Sequence, residues 1–394
     1  MQLYHTGDIV YARFLTRDVL IINSAEAARE LMEQRGAKYS GRPLFTYICD
    51  LGGFSWNTGF ITNDDRWKRH RRWFQHSFQT KDLLDGYVPI QQRETRILYA
   101  DLAREPSAFM DHLKRFSAAV MLEIGYGHTV TSIDDAHIRK VDSALAGLFA
   151  AGTPGSMLVD FFPILKYMPW WLPGAGWKRT AIRLRPDIDA MNLDPFRSVI
   201  KTMAAGSVKP SFAATLLEEA PIDEPISPTE EREMSGAAGV VYSAGTETTV
   251  SVLAVFVFAM VRHPAVFKKA QEEIDRVVGT GRLPQLDDRE ALPYLECVLK
   301  EVYRWGVPIP LSKFPCVAHQ LTEEDDYNGY DIPKSATVIP NIWAMSRDDA
   351  IYEDPDDFKP ERFFELEPDL AELRDPRKIV FGHGGGMLRF LGFA

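Results

Sequence analysis

The chain has 394 residues, 45% of them hydrophobic and 25% charged, with a formal net charge of −10 at pH 7, the composition of a globular protein able to bury a large core. The negative balance repels nucleic acid and anionic membrane surfaces, which argues against a nucleic-acid partner. Three widely separated cysteines, Cys49, Cys297 and Cys316, make neither a disulfide framework nor a C-x-x-C pair, so zinc ribbons and fingers are excluded and a reducing compartment is indicated.

No charged segment followed by an apolar one opens the chain, so as written it has no N-terminal anchor or export signal. Residues 8–22 are two β-rich runs around Thr16-Arg17-Asp18, which predicts a hairpin. Asn23 or Ser24 then caps a predicted helix over residues 25–34, with Glu26 placed for a capping box with Asn23. Within Trp67-Lys68-Arg69-His70-Arg71-Arg72, Trp67 and Arg71 stand at i and i+4 on one helical face. An indole N–H beside a guanidinium is a donor pair suited to carboxylates, although a plain basic patch has the same composition.

From about residue 80 to 305 helical signals dominate, broken by clusters such as Pro169-Trp170-Trp171-Leu172-Pro173-Gly174. Residues 236–261 carry one charge, Glu247, over a length that would cross a bilayer. The hydroxylic block Ser243 to Thr249 lies at its middle, where lipid penalises it most, so the reading is a long helix inside a protein. In Ala244-Gly245-Thr246-Glu247-Thr248-Thr249, glycine costs a helix about 1 kcal/mol relative to alanine but lets another group approach the backbone. Thr246 and Thr248 can turn a hydroxyl back to a carbonyl four residues earlier or out to a ligand. A groove that binds and protonates a small molecule and a plain buried helix both fit these residues.

Pro264 near a start and Gly279 at a C′ position predict a helix over residues 263–279. A further helix runs from Leu292 to about Trp305 and puts Glu301 and Arg304 on one face. Such a pair recurs by chance, but Arg362, in Phe358-Lys359-Pro360-Glu361-Arg362-Phe363, could extend it to a three-member ion network that specifies one geometry. Beyond residue 306 the pattern is β-like, with Asn328-Gly329 as a hairpin turn and Ala336 to Ile339 as a strand.

Taken in order, Trp67…Arg71, A-G-T-E-T-T at 244–249, E-V-Y-R at 301–304 and F-K-P-E-R-F at 358–363 resemble the landmark motifs of the cytochrome P450 superfamily. The resemblance covers nearly all of residues 8–384, and the wording of residues 42–60 and 341–364 is most similar to fungal microsomal members. It implies a mainly α fold with small β-sheets near 8–22 and 306–345, as a single domain over 1–394. It also implies haem b, O2, a small apolar organic substrate and an NADPH-cytochrome P450 reductase, at the cytosolic face of the endoplasmic reticulum membrane. Carried over residue by residue, Trp67, Arg71 and His319 would bind haem propionates, and Ala244 and Gly245 would line the oxygen groove. Glu247 and Thr248 would relay protons, while Glu301, Arg304 and Arg362 would form the structural network behind the haem. Lys68, Arg69 and Arg72 would lie near the face that receives an acidic reductase.

The sequence departs from the family pattern at its haem loop, F-x-x-G-x-R-x-C-x-G. Phe381 and Gly384 begin it correctly, but Gly386 stands for arginine, Leu388 for the ligand cysteine and Phe390 for the last glycine. Leucine has no lone pair for iron, whereas a thiolate is what favours O–O cleavage. Neither Cys297, on the Glu301 helix, nor Cys316, in apparent extra sequence, is placed to substitute. The expectation is a chain incomplete at both ends, without the haem-thiolate loop or the following helix, and cytoplasmic or peripheral for want of an anchor. The first functional reading is therefore a haem monooxygenase by family, inactive as written. Its competitor is a non-catalytic, pseudogene-like product without thiolate-bound haem, and membrane transport is a distant third.

Overall fold

Strand β1 (Ile9–Phe14) pairs with β2 (Arg17–Ile22) in antiparallel register, Ile9 opposite Ile22 and Phe14 opposite Arg17. The turn is therefore Leu15-Thr16, one residue earlier than expected, with Leu15 in the left-handed region at φ 54°, a conformation uncommon outside glycine. The computed structural model describes residues 7–79, 81–150, 157–220, 225–308 and 318–382, with backbone alone at 81–83 and 148–150.

Ser24, not Asn23, caps α1 (Ala25–Ala28) by accepting from the Ala27 amide at 3.1 Å. The helix continues as a wider π-helical turn over Arg29–Gln34. Asp64 caps α2 (Asp65–Phe78) through the Trp67 amide at 3.0 Å. There follow α3 (Lys81–Arg104), α4 (Phe109–Tyr126), α5 (Ala136–Ala150), α6 (Leu158–Phe161), α7 (Gly176–Ala204) and α8 (Phe212–Glu218). Helix α7 holds Pro186 and Pro195 in its interior, each removing one backbone donor that a helix would use.

Helix α9 (Pro228–Arg262) starts with the Ser227 hydroxyl accepting from the Glu230 amide, and Pro228 at its first position has no N–H to satisfy. It is buried from Glu233 to Tyr242 and again at Ala259 and Met260. By length and composition it is the one helix among the described residues that could cross a membrane; its first half is packed inside protein. Helix α10 (Pro264–Val277) ends before Gly279 at φ 76°, and α11 (Pro293–Trp305) follows.

Beyond α11, β3 (His319–Gln320), the hairpin β4 (Asp325–Tyr327) and β5 (Tyr330–Ile332), and β6 (Thr337–Pro340) appear. Asn328 and Gly329 are both at positive φ, as the two central residues of a type I′ turn require. The larger sheet has the order β1-β2-β6-β3; β6 lies parallel to β2, Val19 opposite Thr337, and antiparallel to β3. Short helices α12 (Ile342–Met345), α13 (Pro368–Leu373) and α14 (Arg377–Val380) complete the described chain. The architecture is mainly helical with small sheets, as the sequence implied.

Two apolar clusters organise it. One joins α4, where Ser117 to Tyr126 are all buried, to α7, α8 and the first half of α9. The other packs Leu20, Ile22, Leu31 and Val338 of the sheet region against Tyr303, Ile379 and Val380. Helix α9 thus packs against α2, α4 and α11, the helices that carry the Trp67–Arg71 and Glu301–Arg304 pairs and the buried face of α4.

Candidate functional site

On α2 the two expected donors do stand together: the Arg71 guanidinium lies 5.1 Å from the Trp67 ring centroid. Arg71 is buried, and burial pushes its pKa down to about 10, which leaves it cationic at neutral pH. A planar guanidinium presents a fork of donors that matches a carboxylate, and the neighbouring indole adds a further N–H donor of the same kind. Lys68 and Arg72 are exposed. Arg69 is not simply part of that basic surface: it lies 5.2 Å from the Trp73 ring centroid and 3.7 Å from Glu233.

Glu233 was not singled out in the sequence, yet it gathers that face of α2. Its carboxylate accepts from Arg66 Nε at 2.9 and 3.0 Å and lies 3.3 Å from His70 Nε2, while His70 Nδ1 is 2.7 Å from the Thr58 hydroxyl. Burial alone would raise the Glu233 carboxyl, but hydrogen bonds from His70 and Arg66 outweigh it and hold the group at about 2. Burial likewise lowers His70, so the neutral ring donates from Nε2 to Glu233 and accepts at Nδ1 from Thr58. Periodicity carried a signal: Glu233 shares a helical face with Ala237, Val240 and Val241, all buried.

On α9 the expected groove has a close contact at one position. A side chain on Gly245 would place its Cβ 2.5 Å from Met121 Sδ of α4. The backbone at Gly245 is thus closely approached by the flexible end of the Met121 side chain. Thr248 donates its hydroxyl to the Ala244 carbonyl at 2.8 Å, the back-bonded alternative. Glu247 is exposed. Thr246 is buried, and its hydroxyl has no hydrogen-bond partner among the described residues; such groups are normally satisfied. Further along, every residue from Thr248 to Val257 is partly exposed, so this apolar part of the helix is not enclosed.

Glu301 and Arg304 on α11 are fully buried and joined by two hydrogen bonds, Nε to Oε2 at 2.7 Å and Nη2 to Oε1 at 2.8 Å. Arg362 Nε reaches Glu301 Oε1 at 3.2 Å, and the Lys359 amide donates to the same oxygen at 2.7 Å. The remaining Arg304 donors go to the carbonyls of Ser346, Pro355 and Asp357. Tyr352 lies 5.3 Å away from the guanidinium, ring centroid to Cζ. Three charges so fully hydrogen-bonded fix one path for residues 346–362. His319, on β3, donates from Nδ1 to the Tyr39 carbonyl at 2.7 Å.

Cys297 and Cys49 are buried, and burial pushes the Cys297 thiol up to about 11, so at neutral pH it is protonated. Cys297 packs with Tyr352 and Phe363. Leu388 and Cys316 lie outside the described residues. Among the described residues no cluster of three or more His, Cys, Asp or Glu could hold a metal ion.

A family model described as "Cytochrome P450" matches residues 2–384. "Cytochrome P450 monooxygenase 176" of Postia placenta is 43% identical over 96% of this chain and 72% of its own length. "Cytochrome P450 monooxygenase 136" of the same organism is 44% identical over 96% and 71%. "Tryptamine 4-monooxygenase" of Psilocybe cyanescens is 37% identical over 97% and 74%.

Proposed function

The chain belongs to the cytochrome P450 family, and from that premise we propose that it is laid out, as one domain, for haem-dependent monooxygenation. The reaction is insertion of one oxygen atom from O2 into a small apolar organic substrate, with electrons from an NADPH-cytochrome P450 reductase. The observation that supports this most is Arg71, a buried cation beside the Trp67 indole, matched to a carboxylate of an otherwise apolar ligand.

The chemistry of the described residues suits a porphyrin: a donor pair for carboxylates and a partly exposed apolar helix surface. Trp67, Arg71 and His319 would hold the propionates of haem b. The Thr246 hydroxyl, without a partner among the described residues, and the partly exposed run from Thr248 to Val257 would offer one polar contact and an apolar surface beside Ala244. Gly245, whose missing side chain lets Met121 approach the backbone, would line the same groove with Ala244. Haem, when bound through a thiolate, supplies activation of O2 at its iron. On the chain's own side, the Thr248 oxygen still accepts a hydrogen bond while its proton is held by the Ala244 carbonyl. The exposed Glu247 carboxylate can exchange protons with solvent next to it. Glu301, Arg304 and Arg362 act as structural support. Lys68 and Arg72 offer exposed cations to an acidic reductase surface.

We extend the proposal to location at the cytosolic face of the endoplasmic reticulum membrane. Its support in this chain is an exposed apolar surface: Leu15, Leu158, Ile164, Tyr167, Trp170 and Trp171 are each more than half exposed. The hairpin carrying Leu15 is tied to it by Thr16 donating to the Phe161 carbonyl and by Arg17 over the Phe161 ring. Tryptophan and tyrosine favour the membrane interface.

The residues do not fit the iron. Leucine occupies position 388, where the family pattern has its cysteine, the family match ends at Gly384, and Cys297 is protonated and enclosed. We therefore derive no step through the metal and infer that the chain as written is a non-catalytic product. The test compares it with the variant Gly386→Arg, Leu388→Cys, Phe390→Gly, each supplied with haem, reductase and NADPH. Substrate-dependent O2 consumption by the triple variant alone is expected; turnover by the unaltered chain overturns the inference, and failure of both overturns the monooxygenase layout.

A further inference from the structure

We propose that Glu233 is a positioning residue for the Trp67–Arg71 pair: a buried carboxylate on α9 that fixes the rotation of α2 and so aims the pair at a porphyrin propionate. The inference rests on the reading that Arg71 meets a propionate.

Residues 66, 69 and 70 lie on one side of α2, and 67 and 71 lie about a third of a turn round from them at 3.6 residues per turn. Glu233 takes hold of the first side through three residues, with Arg66 donating twice, His70 at 3.3 Å and Arg69 at 3.7 Å. His70 in turn is tied to Thr58 on the preceding loop, so α2 is held at once to α9 and to the chain that enters it. Thr58, His70 and Glu233 superficially resemble a hydroxyl–imidazole–carboxylate relay. All three are buried, however, at 3%, 0% and 5% exposure. The bonds therefore serve geometry.

Charge and position predict opposite signs. Removing a negative charge beside the cations Arg66 and Arg69 raises the local positive potential and would tighten binding of any anion. Releasing the helix would instead misalign Arg71 and weaken a directional, charge-assisted contact.

Iron-free protoporphyrin IX and its dimethyl ester separate these effects, since the ester lacks the propionate charges and neither probe needs an iron ligand. Fluorescence titration of the full chain is expected to show tighter binding of the free acid, and Arg71→Ala should abolish that preference. Glu233→Gln should weaken the free acid about tenfold, the scale of one lost charged hydrogen bond, and leave the ester unchanged. Tighter free-acid binding, or equal losses for both probes, overturns the positioning role. Should Glu233→Gln fail to fold, Glu233→Asp decides, because it keeps the charge and withdraws the carboxylate; unchanged free-acid binding then overturns the proposal. If Arg71→Ala keeps the preference, it is the propionate reading that has failed, and the proposal falls with it.

Discussion

At the residue scale, energy is concentrated where charge is buried. Arg304 meets Glu301 and three backbone carbonyls at zero exposure, so Arg304→Ala should cost about 3–5 kcal/mol by leaving Glu301 uncompensated. Arg304→Lys should recover only a minor part, because an ammonium cannot reproduce the planar fork; urea unfolding of both variants measures it. Glu233 has a pH signature. Its folded pKa, about 2, is below its usual 4.5, so its contribution is present above pH 4.5 and lost as pH falls from 4.5 toward 2. Glu233→Gln should flatten the acid limb of a stability–pH curve within that window, and a limb of unchanged slope would contradict it. Glu301, Arg304 and Arg362 could be read from motif spacing. Glu233 left only the trace of its spacing to Ala237, Val240 and Val241, because Glu230, Glu231 and Glu233 look alike until the helix face that buries only the last of them is known.

At the element scale, α9 derives its placement from small residues as much as from apolar ones. A Cβ on Gly236 would lie 2.7 Å from the Trp56 carbonyl oxygen, and one on Gly306 would lie 2.1 Å from Val255 Cγ1. Gly236→Ala gains roughly 1 kcal/mol of helix propensity yet must push back a backbone segment, and the expected net loss is about 1–3 kcal/mol. Thermal unfolding that shows stabilisation would refute this close packing. The ends of α10 and the Asn328-Gly329 turn were legible, because proline, glycine and asparagine act locally. The parallel pairing of β2 with β6, more than three hundred residues apart, was not, because strand pairing depends on partners that local pattern does not name. The approach of Met121 to Gly245 was hidden for the same reason.

At the scale of the whole molecule, composition excluded classes of function but said nothing of surface arrangement. Sequence placed aromatic residues at 161–177, and folding brings the tip of the first hairpin beside them. Trp170→Ser with Trp171→Ser should reduce partition into neutral phosphatidylcholine vesicles severalfold and leave unfolding unchanged, since both rings are largely exposed; co-sedimentation checks this.

The central proposal joins a P450 family scaffold with a sequence that has leucine at position 388, where the family pattern has its ligand cysteine. It is tested most directly by the absorption spectrum of the full chain, loaded with haem, reduced and exposed to carbon monoxide. The account predicts bound haem without a thiolate-type Soret band; a thiolate-type band from the unaltered sequence would contradict it.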